Sequence, residues 1–321
     1  MLADVLRRRL VFVTGKGGVG KTAVTLALAT AAARARRRVL VVEVNPHGRV
    51  GEYLGGVTLG PEPSEVAPGV SVASIVPTII MEEFALRILR IRALARRLLE
   101  SQTFRVVAAA APGIEDFLTL IRVAGWEDAR TGLQRRRHRF DLVLVDAPAT
   151  GHSVPLLATP GTLLKMLPFG PLSGSARELA LLLSDAQRTA VAVVTRAEEM
   201  AVNETLELSA AIMRLGVPLL PPLVNAVAPL RFTREESRRL LADPPDVPAS
   251  MRPHVAAGCF SAARQRNAER EIRRLGRALA AAPVYLPLVM TRRFAMPAIE
   301  ELADAFEHAR PSRRRRAAGV A

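Results

Sequence analysis

Three stretches of the chain are apolar without alternation: LVFVT at 10–14, VLVVEV at 39–44 and FDLVLVDAP at 140–148. Unbroken runs of this length suit parallel strands buried on both faces. Weaker runs at 70–75, 190–195, 218–227 and 282–289 extend the series. The alanine-rich stretch from about 21 to 35 is predicted to be helical, as are 201–215 and 298–309. From 78 to 135 there is no convincing strand. "MEEFALRILRIRALARRLLE" instead places apolar residues at three- and four-residue steps with arginines between them, the pattern of amphipathic helix. Residues 231–282 also read as helical and charged. Strands alternating with helices predict an α/β fold, a doubly wound and mainly parallel sheet with right-handed crossovers. The expected organisation is a single domain over 1–310. A helical subdomain inserted between strands comes from about 78–135, 160–187 and 231–280, and a basic disordered tail covers 311–321.

The turn after the first strand carries chemistry. GKGGVGKT at 15–22 fits the phosphate-loop pattern G-x-x-x-x-G-K-[ST], which makes the sheet one of the P-loop NTPase type. The candidate nucleotide-binding run is Gly15, Lys16, Gly17, Gly18, Val19, Gly20, Lys21, Thr22 and Ala23. Its glycines let successive backbone N–H groups face phosphates, and the helix that follows adds its positive end. Lys21 is placed to neutralise the β and γ phosphates of ATP, and the Thr22 hydroxyl to ligate Mg²⁺. Asp146, closing LVLVD, is the expected second Mg²⁺ anchor, acting through water. A strand-ending acid without a ligand is its plain alternative.

Composition sharpens one residue. Lysine and arginine total 45, yet only Lys16, Lys21 and Lys165 are lysines. Two of the three lie in one short loop, and a phosphate loop needs only one. The net charge of +15 can attract polyanions. The runs RARRR, RRRHR and RRRR are scattered and lack interleaved aromatics, which disfavours nucleic acid as a partner. No apolar run approaches the roughly 20 residues of a membrane span. The single cysteine, Cys259, excludes an internal disulfide framework and a cysteine-built zinc site within one subunit. These features read as a cytoplasmic protein.

The K-G-G-x-G-K-[ST] form resembles the dimerising P-loop ATPases, and DAPATGHSVPLLATPGTLLKML at 146–167 resembles the second switch of one branch, the arsenite-pump and guided-entry ATPases. Asp146, Thr150, Gly151 and His152 match that branch, and Pro148 lies one position earlier than usual. Three weaker matches run in the same order: APGIEDFLTL at 111–120, PPLVNAV at 221–227 and VYLPLV at 284–289. Together the resemblance covers about residues 8–310. It implies a dimer, homodimeric or paired with a paralogous ATPase, in which Lys16 crosses to the partner's nucleotide. It also implies that Asn225 bonds the adenine edge and that Pro287 lines its pocket. A solvated Lys16 and a strand-capping Asn225 are the alternatives. Loss of the γ-phosphate would relax the switches at 45–54 and 146–160 and couple ATP hydrolysis to a hydrophobic client or membrane protein. The other readings are an energising subunit of a membrane anion pump and a partition-type positioning ATPase that binds nucleic acid or membrane.

Three departures qualify the resemblance. The family's first switch reads D-P-A-H, and its aspartate orients the attacking water. Here EVNPHGRV puts Asn45 in that place. An amide cannot accept a proton, although it can position water, so slow hydrolysis is expected. Glu43, two residues earlier, is the candidate substitute, although a two-residue step along a strand does not by itself bring its carboxylate to the γ-phosphate. Arsenite asks for about three thiolates, and Cys259 is one. The stretch between His152 and the strand at 190 is short, with a single methionine, where client-covering helices would be longer.

Overall fold

The computed structural model of the 321-residue chain describes residues 1–44, 48–76, 79–82, 113–131, 137–243 and 245–308. Most of the predicted helical segment between 78 and 135 and the basic tail lie outside these residues. So does Asn45.

An eight-stranded sheet forms the middle of the fold. In chain order its strands are β1 (Leu10–Gly15), β2 (Val39–Glu43), β3 (Ser64–Ala67), β4 (Val70–Ser74), β7 (Leu142–Asp146), β8 (Thr189–Arg196), β9 (Leu223–Val227) and β10 (Val284–Pro287). The spatial order is β10-β9-β8-β1-β7-β2-β4-β3. All neighbours are parallel except β3 and β4. β5 (Arg130–Thr131) and β6 (Arg137–His138) form a separate small antiparallel pair. The expectation of a doubly wound, mainly parallel sheet is met.

Every residue of β1, β2 and β7 is buried, which is why those segments read as unbroken apolar runs. Alternate side chains feed different layers. Val11, Val13, Val41 and Leu144 join one core with Val24 and Leu28 of α2 (Lys21–Arg34) and with Ile299 and Phe306 of the C-terminal helix at Met296–His308. Leu10, Phe12, Leu40 and Val143 join the other. There they meet Phe117 of the helix Ile114–Asp128, Leu156 of Thr150–Met166, Leu179 of Pro171–Ser184 and Leu208 of Glu199–Arg214. In chain order α1 is Leu2–Leu6 and α3 is Val50–Tyr53. The four helices of the second layer are α4 to α7. α8 is Arg234–Ala242, α9 is Arg252–Ala278 and the C-terminal helix is α10. α2 is apolar on all sides, as a helix sandwiched between a sheet and another helix must be.

A charged tie closes the amino edge of the sheet. Glu127 of α4 is fully buried and accepts from Arg9 Nε at 2.7 Å and from Arg188 Nη2 at 2.5 Å. It thereby joins α4 to the entries of β1 and β8. Cys259 of α9 is half-buried, and its thiol donates to the Leu240 carbonyl at 3.4 Å.

The register aligns the carboxyl ends of three strands. Val13 of β1 lies opposite Asp146 of β7, and Asp146 lies opposite Glu43 of β2. Loops leaving this edge of a parallel sheet form its ligand-binding crevice.

Candidate functional site

β1 ends at Gly15, with φ +150°. A Cβ there would lie 2.1 Å from the Val194 carbonyl oxygen of β8, so glycine is dictated by the neighbouring backbone. Gly20, at φ +90°, is the residue that caps α2. A Cβ there would stand 2.4 Å from Asn225 Nδ2. Above Gly17 and Gly18 no described atom lies within 4 Å of the Cβ position, so that side of the loop is open to a ligand.

The charged and hydroxyl groups of the loop converge on β7. Thr22 Oγ1 donates to Asp146 Oδ2 at 2.6 Å, and Thr25 Oγ1 lies 3.4 Å from Asp146 Oδ1. Asp146 is buried, and burial pushes its carboxyl up to about 6 against the opposing pull of Thr22, Lys21 and Thr25. Lys21 Nζ donates to the Lys16 carbonyl at 3.2 Å. Burial lowers its amine from the ordinary lysine range, while the Asp146 charge opposes that shift. The oxygen donors suit Mg²⁺, a hard cation that accepts a hydroxyl and a carboxylate. Among the described residues no group of three or more His, Cys, Asp or Glu could hold a metal. A cation between Thr22 and Asp146 would therefore complete its shell with phosphate oxygens and water.

Glu43, beside Asp146, is also buried. Its Oε1 accepts the Val50 N–H at 2.9 Å and so anchors the first residue of α3. Burial raises its carboxyl, the Val50 hydrogen bond opposes that rise, and the Asp146 charge adds to it. A Cβ on Gly48 would fall 1.9 Å from the same oxygen. Glu43 thus grips the chain within the 45–54 segment.

Asn225 and Pro287 come together at a β-bulge. Val224 pairs with Tyr285 and Val227 with Pro287, so Asn225 and Ala226 together oppose Leu286. Ala226 has φ +55°. Such a bulge re-aims a side chain, and Asn225 Nδ2 donates to the Val19 carbonyl at 2.8 Å. A cleft of about 260 Å³ opens beside it, walled by Val19, Gly20, Arg196, Asn225, Pro287 and Phe294 among others. Phe294 stacks obliquely on Tyr53 of α3, with ring centroids 5.3 Å apart.

Lys16 turns the other way. Its Nζ forms an ion pair with Glu204 Oε1 of α7 at 2.6 Å. The structure therefore gathers Lys21, Thr22, Asp146, Asn225 and Pro287 around the loop and leads Lys16 out of it. Four residues of the site had no sequence signal: Thr25, Glu204, Arg196 and Phe294. Each is an ordinary residue type on a helix, strand or loop, and only the fold brings it near. His152 is exposed near the start of α5, and burial raises the half-buried Asp116 carboxyl of α4.

The sheet order, the glycine loop and the acid at the end of β7 define a P-loop nucleotide-binding protein. Residues 8–180 match the family model described as anion-transporting ATPase, and the chain belongs to that family. It is 28% identical over 254 residues to an arsenical pump-driving ATPase of Escherichia coli, covering 72% of this chain and 41% of that protein. A second arsenical pump-driving ATPase, from Acidiphilium multivorum, is 26% identical over 239 residues, 68% of this chain and 39% of the relative. An ATPase named BagA from Mycobacterium tuberculosis is 26% identical over 234 residues, 71% of this chain and 68% of its own length. The chain spans about two fifths of the length of the arsenical pump-driving ATPases it matches. Among the described residues no helix is long and apolar enough to cross a membrane.

Proposed function

We propose that this chain is a Mg²⁺-dependent ATPase that acts as a dimer and couples ATP turnover to a partner or hydrophobic client. The observation that carries this reading is the convergence of Lys21, Thr22, Asp146 and Asn225 on one loop at the carboxyl edge of the sheet. The open side of Gly17 and Gly18 admits the phosphates. Lys21 would exchange the Lys16 carbonyl for a phosphate oxygen. Thr22 and Asp146 would hold Mg²⁺, which would supply charge neutralisation for the phosphates. The base enters the cleft beside Pro287 and Phe294. One Asn225 amide N–H is committed to Val19, and its carbonyl oxygen is the group proposed to accept from the base. An acceptor at the 6-position of a purine favours adenine, which carries an amine there, over guanine, which carries a carbonyl.

Slow hydrolysis is part of the proposal. Asn45 can orient a water but cannot take its proton. The grip of Glu43 on Val50 favours a strut over a general base. Turnover of Mg·ATP by wild type, Asn45→Asp and Glu43→Gln tests this. Asn45→Asp is expected to raise kcat by roughly 10- to 100-fold, a modest share of what a positioned base contributes. A fast wild type abolished by Glu43→Gln would make Glu43 the base. Absence of Mg·ATP binding would overturn the whole reading. The names of the relatives favour a pump-energising role as the second reading. Cys259 supplies one of the roughly three thiolates that arsenite prefers, so any anion passing through such a pump would be bound elsewhere.

A further inference from the structure

We propose that Glu204 holds Lys16 within its own subunit and so sets the threshold at which the dimer forms. The inference rests on the reading that Lys16 reaches a partner's nucleotide. The ammonium lies 2.6 Å from Glu204 Oε1, and both side chains are about one third exposed. Lys16 can serve a second subunit only by leaving this carboxylate. Glu204 is on a well-fixed element. α7 buries Ala201, Val202, Thr205, Leu208 and Ile212, and its neighbouring Asn203 accepts from Arg274 of α9 at 2.7 Å. The carboxylate therefore stays where it is while the glycine loop carries the lysine.

The exchange has a chemical consequence. Carboxylate and phosphate are both anionic oxygen acceptors, so the lysine trades like for like. A triphosphate concentrates more charge than one carboxylate and draws the lysine across. A diphosphate, lacking the γ oxygens, competes less well. Glu204 is thus a positioning residue that sets a threshold which a triphosphate clears more readily than a diphosphate. A partly exposed pair holds its partner by roughly two- to five-fold in equilibrium terms. A two-fold symmetric dimer breaks two such pairs, which makes roughly 4- to 25-fold in the dimer dissociation constant.

The test is analytical ultracentrifugation of wild type, Glu204→Gln, Lys16→Ala and the double variant, each with Mg·ATPγS and with Mg·ADP. Glu204→Gln is expected to tighten the ATPγS dimer by roughly 4- to 25-fold. Lys16→Ala should abolish nucleotide-dependent association, and adding Glu204→Gln to it should change nothing further. If Lys16→Ala is silent, the cross-subunit reading fails and takes this inference with it. If Lys16→Ala abolishes association while Glu204→Gln leaves the constant unchanged or weakens it, the tether is refuted and the cross-subunit reading stands. Tightening by Glu204→Gln that persists on the Lys16→Ala background would refute it as well, because the effect would not run through the lysine.

Discussion

Replacing Asp146 with asparagine should stabilise the fold while removing its chemistry. The buried carboxyl titrates at about 6, against an ordinary aspartate value of 3.8. Because the folded value is raised, the native state holds its proton more tightly than the unfolded chain does. Stability is therefore lost as pH rises from about 4 to about 6 and stays lost above that. At about 1.4 kcal/mol for each tenfold, the ionised Asp146 costs the native state on the order of 3 kcal/mol at pH 7.5. At pH 4.5, where the native carboxyl is mostly protonated, the cost falls to about 1 kcal/mol. Asparagine keeps the shape and an acceptor for Thr22 without the charge. Urea unfolding in EDTA at both pH values is the assay. Asp146→Asn should be more stable than wild type by up to ~3 kcal/mol at pH 7.5 and by ~1 kcal/mol or less at pH 4.5, and it should bind Mg·ATP poorly. A variant equally or less stable than wild type at pH 7.5 would refute the claim that burial of this charge dominates over its Thr22 and Lys21 contacts.

Gly15→Ala forces a Cβ against the Val194 carbonyl at 2.1 Å. It should abolish ATP binding and lower the thermal midpoint by roughly 2–6 °C, read by calorimetry. Glu127→Ala leaves Arg9 and Arg188 without their shared buried carboxylate, and urea unfolding should show a loss of about 3–5 kcal/mol. Asn225→Ala removes both the hold on Val19 and the acceptor facing the base. Calorimetric titration should find Mg·ATP bound roughly 10-fold more weakly, the equivalent of about one hydrogen bond, with the preference for ATP over GTP reduced.

How legible a feature was in the sequence depended on how local its cause is. β1, β2 and β7 could be read because burial on both faces demands unbroken apolar residues. β3 could not, because it is the sheet edge. Ser64 and Glu65 are exposed, and pairing there is set by the Pro68–Gly69 turn, with Gly69 at φ +77°, rather than by apolar residues. The run from 218 read as strand, yet regular pairing in β9 begins only at Leu223, since the prolines at 221 and 222 lack ladder donors. In the site, the convergence of Lys21, Thr22 and Asp146 was legible because it follows from spacing along one loop and from a strand-ending acid. Asn225 became visible only through resemblance, since its position depends on a bulge. Glu204 left no mark at all. It is one of 30 acidic residues, on a charged helix, and its lysine lies far away along the chain.

The loop's contacts explain why such a site should favour exchange over tight capture. Lys21 already has the Lys16 carbonyl, Thr22 has Asp146, and Lys16 has Glu204. A buried polar group without a partner costs on the order of 1–3 kcal/mol, so these internal contacts keep the loop folded. They also set what a nucleotide must outbid. Phosphate oxygens replace a neutral carbonyl at Lys21, a clear gain, because a hydrogen bond between charged groups is roughly twice as strong as one to a neutral acceptor. Thr22 and Asp146 would together hold the cation, whose charge would offset that of the buried Asp146 carboxylate. Binding should therefore depend steeply on Mg²⁺. Asn225 behaves differently, because its bond to Val19 is not one the nucleotide displaces. It ties the loop to β9, so on the proposed reading the base pocket and the phosphate cradle would keep one geometry while the lysines change partners.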